Sequence, residues 1–120
     1  MSNTYQELTV WQKSVELAVL VYKITKDFPQ SELYGLVNQL RRCAVAIASN
    51  IAEGQGRGSA KEFRQFIKIS FGSLLELETQ IIISKRVGYV GERQTDPIFT
   101  LSSEIKKMLS ALEKAIIKNK

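Results

Sequence analysis

From Ser49 to Phe63 the chain reads S-N-I-A-E-G-Q-G-R-G-S-A-K-E-F, and this stretch decides the fold. An apolar pattern of helical period arrives from the N-terminal side and is expected to stop at Gly54, since the left-handed position just past a helix end disfavours a side chain. Glycines recur at alternate positions, Gly54, Gly56 and Gly58. Ser59, followed three residues later by Glu62, predicts a new helix opened by a capping box, in which each side chain takes up the other residue's backbone N–H. Two long helices therefore fold back on one another at this hinge.

Upstream, residues 1–9 are polar and expected to be frayed or lightly docked, with Leu8 as the apolar anchor. A first helix is expected over about 10–28, ending before Pro29, because the residue preceding proline avoids helical geometry. Trp11, Val15, Ala18, Tyr22 and Thr25 line one side of it, while Val10, Leu17, Leu20, Val21, Ile24 and Phe28 fill most of another. The second helix, over about 31–53, takes Ser31 as its N-cap and repeats Leu33, Leu36, Val37, Leu40, Ala44, Ile47 and Ile51 at bundle spacing.

Downstream, a third helix over about 60–87 carries a seam of Phe63, Ile67, Ser70, Leu74, Leu77 and Ile81, with a second apolar line at Phe71, Leu75 and Ile82. Gly88 to Gly91 is a turn. Asp96 is the expected cap and Pro97 the expected first residue of a fourth helix over about 97–117, whose inward face is Ile98, Leu101, Ile105, Leu109, Leu112 and Ile116. No strand pattern appears, and short connections make the fold class all-α: a single domain over 1–120, an antiparallel up-down-up-down four-helix bundle.

Composition narrows the function classes. The 120 residues carry 44% hydrophobic and 24% charged side chains, ordinary for a soluble globular domain. The strongly apolar run Ile81–Ile83 is far short of a membrane span, so a cytoplasmic protein without membrane contact is expected. One cysteine, Cys43, and no histidine leave no internal disulfide and none of the usual transition-metal ligand sets, so neither metal nor cofactor is expected. Lack of histidine also removes the commonest general base, and the chain reads as a non-enzyme. The net charge of +5 leans toward an anionic partner, RNA or DNA.

The candidate nucleic-acid-binding residues are Arg57, Lys61, Arg64 and Lys68, at spacings of four, three and four. The last three share one helical face, about 130° from the seam, and such a stripe can track phosphates. The plain alternative is a solvated face. Lys85, Arg86 and Arg93 form a second basic cluster. The glycine loop lacks a preceding strand and a G-K-[ST] ending, so it is not a nucleotide-binding loop. Arg41, Arg42, Asn50, Glu53, Glu62, Glu76 and Glu78 read as salt-bridging residues that fix helix register or join subunits, and Trp11, Tyr22 and Cys43 as core.

Helices 1 and 3 each show more apolar surface than a lone bundle buries, which points to a homo-oligomer. The segments F-P-Q-S-E-L-Y-G-L from Phe28, Q-L-R-R from Gln39, S-N-I-A-E-G from Ser49, G-R-G-S-A-K-E-F from Gly56 and G-S-L-L-E-L-E-T from Gly72 resemble the four-helix-bundle family named after proteins encoded in intervening sequences of bacterial 23S ribosomal RNA genes. The resemblance implies homopentameric barrels. It extends more distantly to the accessory variability determinant of diversity-generating retroelements, which implies nucleic-acid binding and a protein partner through a basic surface. Without nucleic acid, the remaining reading is a structural scaffold that docks another protein.

Overall fold

The computed structural model describes residues 4–118. The start of the chain at 1–3 and its end at 119–120 therefore lie outside the described part of the expected domain. A short 3₁₀ turn at Tyr5–Glu7 leads into α1 (Thr9–Thr25); a second at Gln30–Glu32 precedes α2 (Leu36–Gly56), α3 (Ala60–Arg86) and α4 (Glu92–Lys118). There is no strand among the described residues. The helices run up, down, up and down in a rod of 47 × 23 × 22 Å, with α1 against α2 and α4, and α3 against α2 and α4. Thus α1 and α3 occupy diagonal corners.

The expected seams form the core except at Leu33, which precedes α2 and is exposed. Leu17, Val21, Leu40, Ala44, Ile47, Ile51, Leu74, Leu77, Ile81, Ile98, Ile105 and Leu109 are fully buried. Buried hydroxyls are satisfied locally or across helices: Ser14 Oγ donates to the Val10 carbonyl at 2.7 Å, and Ser70 Oγ to the Ile47 carbonyl at 2.9 Å. The second of these ties α3 to α2 where their backbones are close.

Helix ends differ from the sequence expectation at four places, each for a local reason. α1 stops at Thr25 instead of Phe28, and the chain turns so that Phe28 is buried with its ring 5.6 Å from that of Tyr89. α2 starts at Leu36 and Ser31 is not its cap: Glu32 Oε1 accepts the Leu36 N–H at 3.2 Å, while Glu32 Oε2 accepts the Tyr89 hydroxyl at 2.9 Å. A carboxylate meets the partial positive charge of a helix start better than a neutral hydroxyl does.

At the hinge, α2 runs through Gly54 to Gly56, and the left-handed residue is Gly58 at φ 79°. α4 starts at Glu92, so Asp96 is not its cap and Pro97 lies in its second turn. Gly91 accepts from the N–H groups of Gln94 and Thr95, both at 3.1 Å, and its own N–H donates to Gln94 Oε1 at 3.1 Å. Thr95 and Ile98 are buried and seat this early turn on the core.

The surplus apolar surface is also redistributed. Val10, Leu17 and Val21 of α1 belong to the protomer's own core, whereas Val19 and Tyr22 are exposed, and Tyr22 is not a core residue. On α3, Phe71 packs against the core but Leu75 and Ile82 do not.

Candidate nucleic-acid interface

The cationic stripe begins at the hinge. Glu62 N–H donates to Ser59 Oγ at 3.1 Å, fixing the start of α3. The return leg of the expected capping box runs through side chains, with Ser59 Oγ donating to Glu62 Oε1 at 3.3 Å. Glu62 therefore places a carboxylate at this helix N-terminus, where an anion would otherwise settle.

Of the four candidate residues, Arg57 is held away from the stripe. It donates to Glu53 Oε2 at 2.7 Å, lies 3.6 Å from Glu62 and places its guanidinium 4.9 Å from the Phe66 ring centroid. The hydrogen bond to Glu53 raises its already high pKa against an opposing desolvation, with smaller additions from the Glu53 and Glu62 charges. Arg57 thus serves the hinge. Arg64 and Lys68 converge on one carboxylate, Glu113 of α4, each at 3.8 Å. That is an ion-pair distance but too long for a hydrogen bond, and Arg64 Nε is buried without a hydrogen-bond partner. Lys61 is exposed and has no ion pair among the described residues.

The structure adds residues that the stripe alone did not include. Because α3 and α4 are antiparallel, the start of α3 lies along the end of α4, and Ala60 and Phe63 share a cavity with Leu112, Ala115 and Ile116. Exposed Lys107, Lys114 and Lys118 lie on α4, the helix that supplies Glu113 to Arg64 and Lys68. Their outward position was legible from the periodicity of α4. The pairing of Glu113 with Arg64 and Lys68 was not, because it depends on which ends of the two helices meet.

Other charged residues do structural work. Glu78, half-buried, accepts from Ser102 Oγ at 2.5 Å and from Lys106 Nζ at 3.2 Å, joining α3 to α4. Arg41 donates to Thr25 Oγ1 at 2.9 Å and lies 4.5 Å over the Tyr22 ring, joining α2 to α1. Asn50 donates to the Ala46 carbonyl within its own helix. In the second basic cluster Lys85 is tied to Glu92 at 3.1 Å. Arg42 and Glu76 line a polar cleft between α2 and α3 of about 370 Å³ without forming an ion pair.

Cys43 borders that cleft. Burial, with the charge and hydrogen bonding of Glu76, pushes its thiol up to about 11 despite smaller opposing effects from Gln80 and Arg42. It is an inert neutral thiol at ordinary pH. Among the described residues no three His, Cys, Asp or Glu side chains gather as metal ligands, and no helix is long and apolar enough to cross a membrane.

Comparison with known proteins places this architecture. No curated protein matches the chain. A crystal structure of a protein of unknown function from the S23 ribosomal protein family of Bacteroides thetaiotaomicron is 27% identical, covering 88% of this chain and 99% of that one, with a TM-score of 0.79. The family model described as 23S rRNA-intervening sequence protein matches residues 6–111, from the first 3₁₀ turn through most of α4. With its hinge, seams and helix order accounted for over that span, the chain belongs to the 23S rRNA-intervening sequence protein family.

Proposed function

We propose that the protein is a non-enzymatic, cytoplasmic homo-oligomer that binds RNA or DNA through the α3–α4 shoulder. The observation that carries this reading is the convergence of Arg64 and Lys68 of α3 on one carboxylate, Glu113 of α4, with exposed Lys61 three residues before Arg64 on the same face. Binding would draw on phosphate contacts and counterion release, without base reading, since no helix is presented as a groove-entering element. The exposed apolar side chains Val19, Val45, Leu75 and Ile82 support self-association, and the family resemblance favours a pentamer. Repetition around a ring would multiply a modest single-site affinity.

The test is fluorescence anisotropy of nuclease-treated protein with a single-stranded RNA and a duplex DNA at two salt concentrations. Binding should weaken by roughly an order of magnitude or more from low to physiological salt. Lys61→Glu with Lys114→Glu should weaken it further at low salt without changing the fold, because neither lysine has an ion pair among the described residues. Absence of salt-sensitive binding to both probes would overturn the reading.

A second reading, a scaffold that docks a protein and binds no nucleic acid, is favoured by the engagement of Arg57 with Glu53 and Glu62 and of Arg64 and Lys68 with Glu113. It predicts recovery of protein, but of no nucleic acid, from cell extracts.

A further inference from the structure

We propose that the polar cleft between α2 and α3 binds a small zwitterion, an α-amino acid whose carboxylate meets Arg42 and whose ammonium group meets Glu76. The cleft is on the α2 side of α3, whereas the basic shoulder is on its α4 side, so this site stands whether or not nucleic acid binds.

Two contacts between the antiparallel helices set the level of each side chain. Gln80 Nε2 donates to Gln39 Oε1 at 3.5 Å, and Ser70 Oγ donates to the Ile47 carbonyl at 2.9 Å. Between them, Arg42 and Cys43 of α2 fall level with Glu76 of α3. Arg42 and Glu76 are exposed and line the same cleft, yet neither forms an ion pair among the described residues. A lone anion entering there meets the carboxylate of Glu76, and a lone cation meets the guanidinium of Arg42. A ligand that carries both signs on neighbouring atoms finds an opposite charge for each. Beyond the burial that dominates the Cys43 shift, Glu76 pushes the thiol up and Arg42 pulls it down, so both charges are felt at one point on the cleft wall.

The floor supplies an independent observation. Gln80 is 8% exposed, and its Oε1 is buried without a hydrogen-bond partner. A buried carbonyl oxygen left unpaired costs free energy. The 3.5 Å contact of Nε2 is at the outer limit of a hydrogen bond, so the amide is weakly held. Gln80 follows Glu76 by one helical turn, on the same face. An ammonium group has three donors, enough for the Glu76 carboxylate and for the Gln80 oxygen once the amide turns toward it.

Size and lining narrow the ligand. At about 370 Å³ the cleft is near the small end of the range for ligand pockets, about 300–1,000 Å³, which suits a free amino acid. Asn38, Gln39 and Ser73 add amides and a hydroxyl, which favour a polar side chain on the ligand. None of the lining residues is aromatic, so a nucleobase would find no stacking platform.

The experiment measures the melting temperature of the full chain with each common L-amino acid at millimolar concentration, followed by isothermal titration with those that raise it. Acetate and methylammonium, each carrying half of the ligand's charge, are the controls. At least one amino acid should raise the melting temperature, and neither control should do so at the same concentration. Arg42→Gln and Glu76→Gln each remove one charge from an exposed position without an ion pair; both should fold, and each should weaken binding by roughly tenfold or more. Gln80→Met, which replaces the unpaired amide by an apolar side chain of similar length, should also fold and bind more weakly. Failure of every amino acid to bind the wild type overturns the proposal, as does binding that survives in both charge variants or that acetate alone reproduces. If light scattering shows that Arg42→Gln or Glu76→Gln changes the mass of the particle while no amino acid binds, the cleft is a contact between copies and the proposal falls.

Discussion

The Cβ that Gly54 lacks would lie 2.5 Å from the Cβ of Phe66. Both residues are inside helices, so the glycine is there for space and not for its backbone angle. It lets the end of α2 lie against the start of α3 just before the chain reverses at Gly58. Gly54→Ala should destabilise the protein by about 1–3 kcal/mol, the usual cost of overpacking, in spite of alanine's better helix propensity. Gly72→Ala, with open space around it, should stabilise the isolated protomer by about 0.5–1 kcal/mol. Urea titrations of the two variants at a dilution that favours single protomers should therefore shift in opposite directions.

Glu32 is a second hinge point, reaching Leu36 with one oxygen and Tyr89 with the other. Its hydrogen bond to the hydroxyl, with smaller contributions from burial and from its charge, raises the Tyr89 pKa. A raised acid pKa in the folded state means that this stabilisation is complete below the unfolded tyrosine's pKa and is lost as pH climbs through the folded one. Glu32→Ala should cost about 0.5–2 kcal/mol through the lost cap. Spectrophotometric titration should show Tyr89 ionising at lower pH in that variant than in the wild type.

These two sites show why element ends were harder to read than element faces. The seams from Leu40 to Ile51 and from Ile67 to Ile81 were legible because burial imposes a period on many residues at once. An end depends on one or two groups that compete: Ser31 against Glu32, Asp96 against Gly91, Gly54 against Gly58. Glycine is ambiguous in particular, since the same letter serves a positive φ at Gly58 and a close approach at Gly54. The candidate site was legible to a similar extent. Spacing gave the α3 cations their common face, but nothing near Arg64 or Lys68 in sequence names Glu113 as their shared partner.

Cys43 offers a check on the core beside the α2–α3 cleft. With its thiol pushed up to about 11 from an ordinary 9.0, chiefly by burial, it should resist alkylation in the native protein at pH 8 and react once the chain is unfolded in urea. The sign for stability follows from the same shift. Between about 9 and 11 the unfolded chain gains by losing the proton while the folded chain still holds it, so this contribution is complete below 9 and declines across that window. Cys43→Ala should flatten that part of the stability–pH profile, measured by denaturant midpoints at stepped pH.

Glu113 restrains the basic shoulder, and removing its charge should strengthen polyanion binding. The carboxylate sits 3.8 Å from both Arg64 and Lys68, and neither contact is a hydrogen bond, so the pair of interactions adds at most about 1 kcal/mol to stability at partly exposed positions. Glu113 is, however, the carboxylate that Arg64 and Lys68 share. Glu113→Gln keeps the side chain's size and frees two cations for phosphate. The melting temperature should change little, while affinity for a single-stranded RNA at low salt should rise several-fold and the slope of log K against log salt should steepen by about 0.7 for each added phosphate contact. An unchanged slope and affinity in Glu113→Gln would mean that the α3–α4 shoulder does not meet the nucleic acid, even if binding elsewhere on the protein is observed.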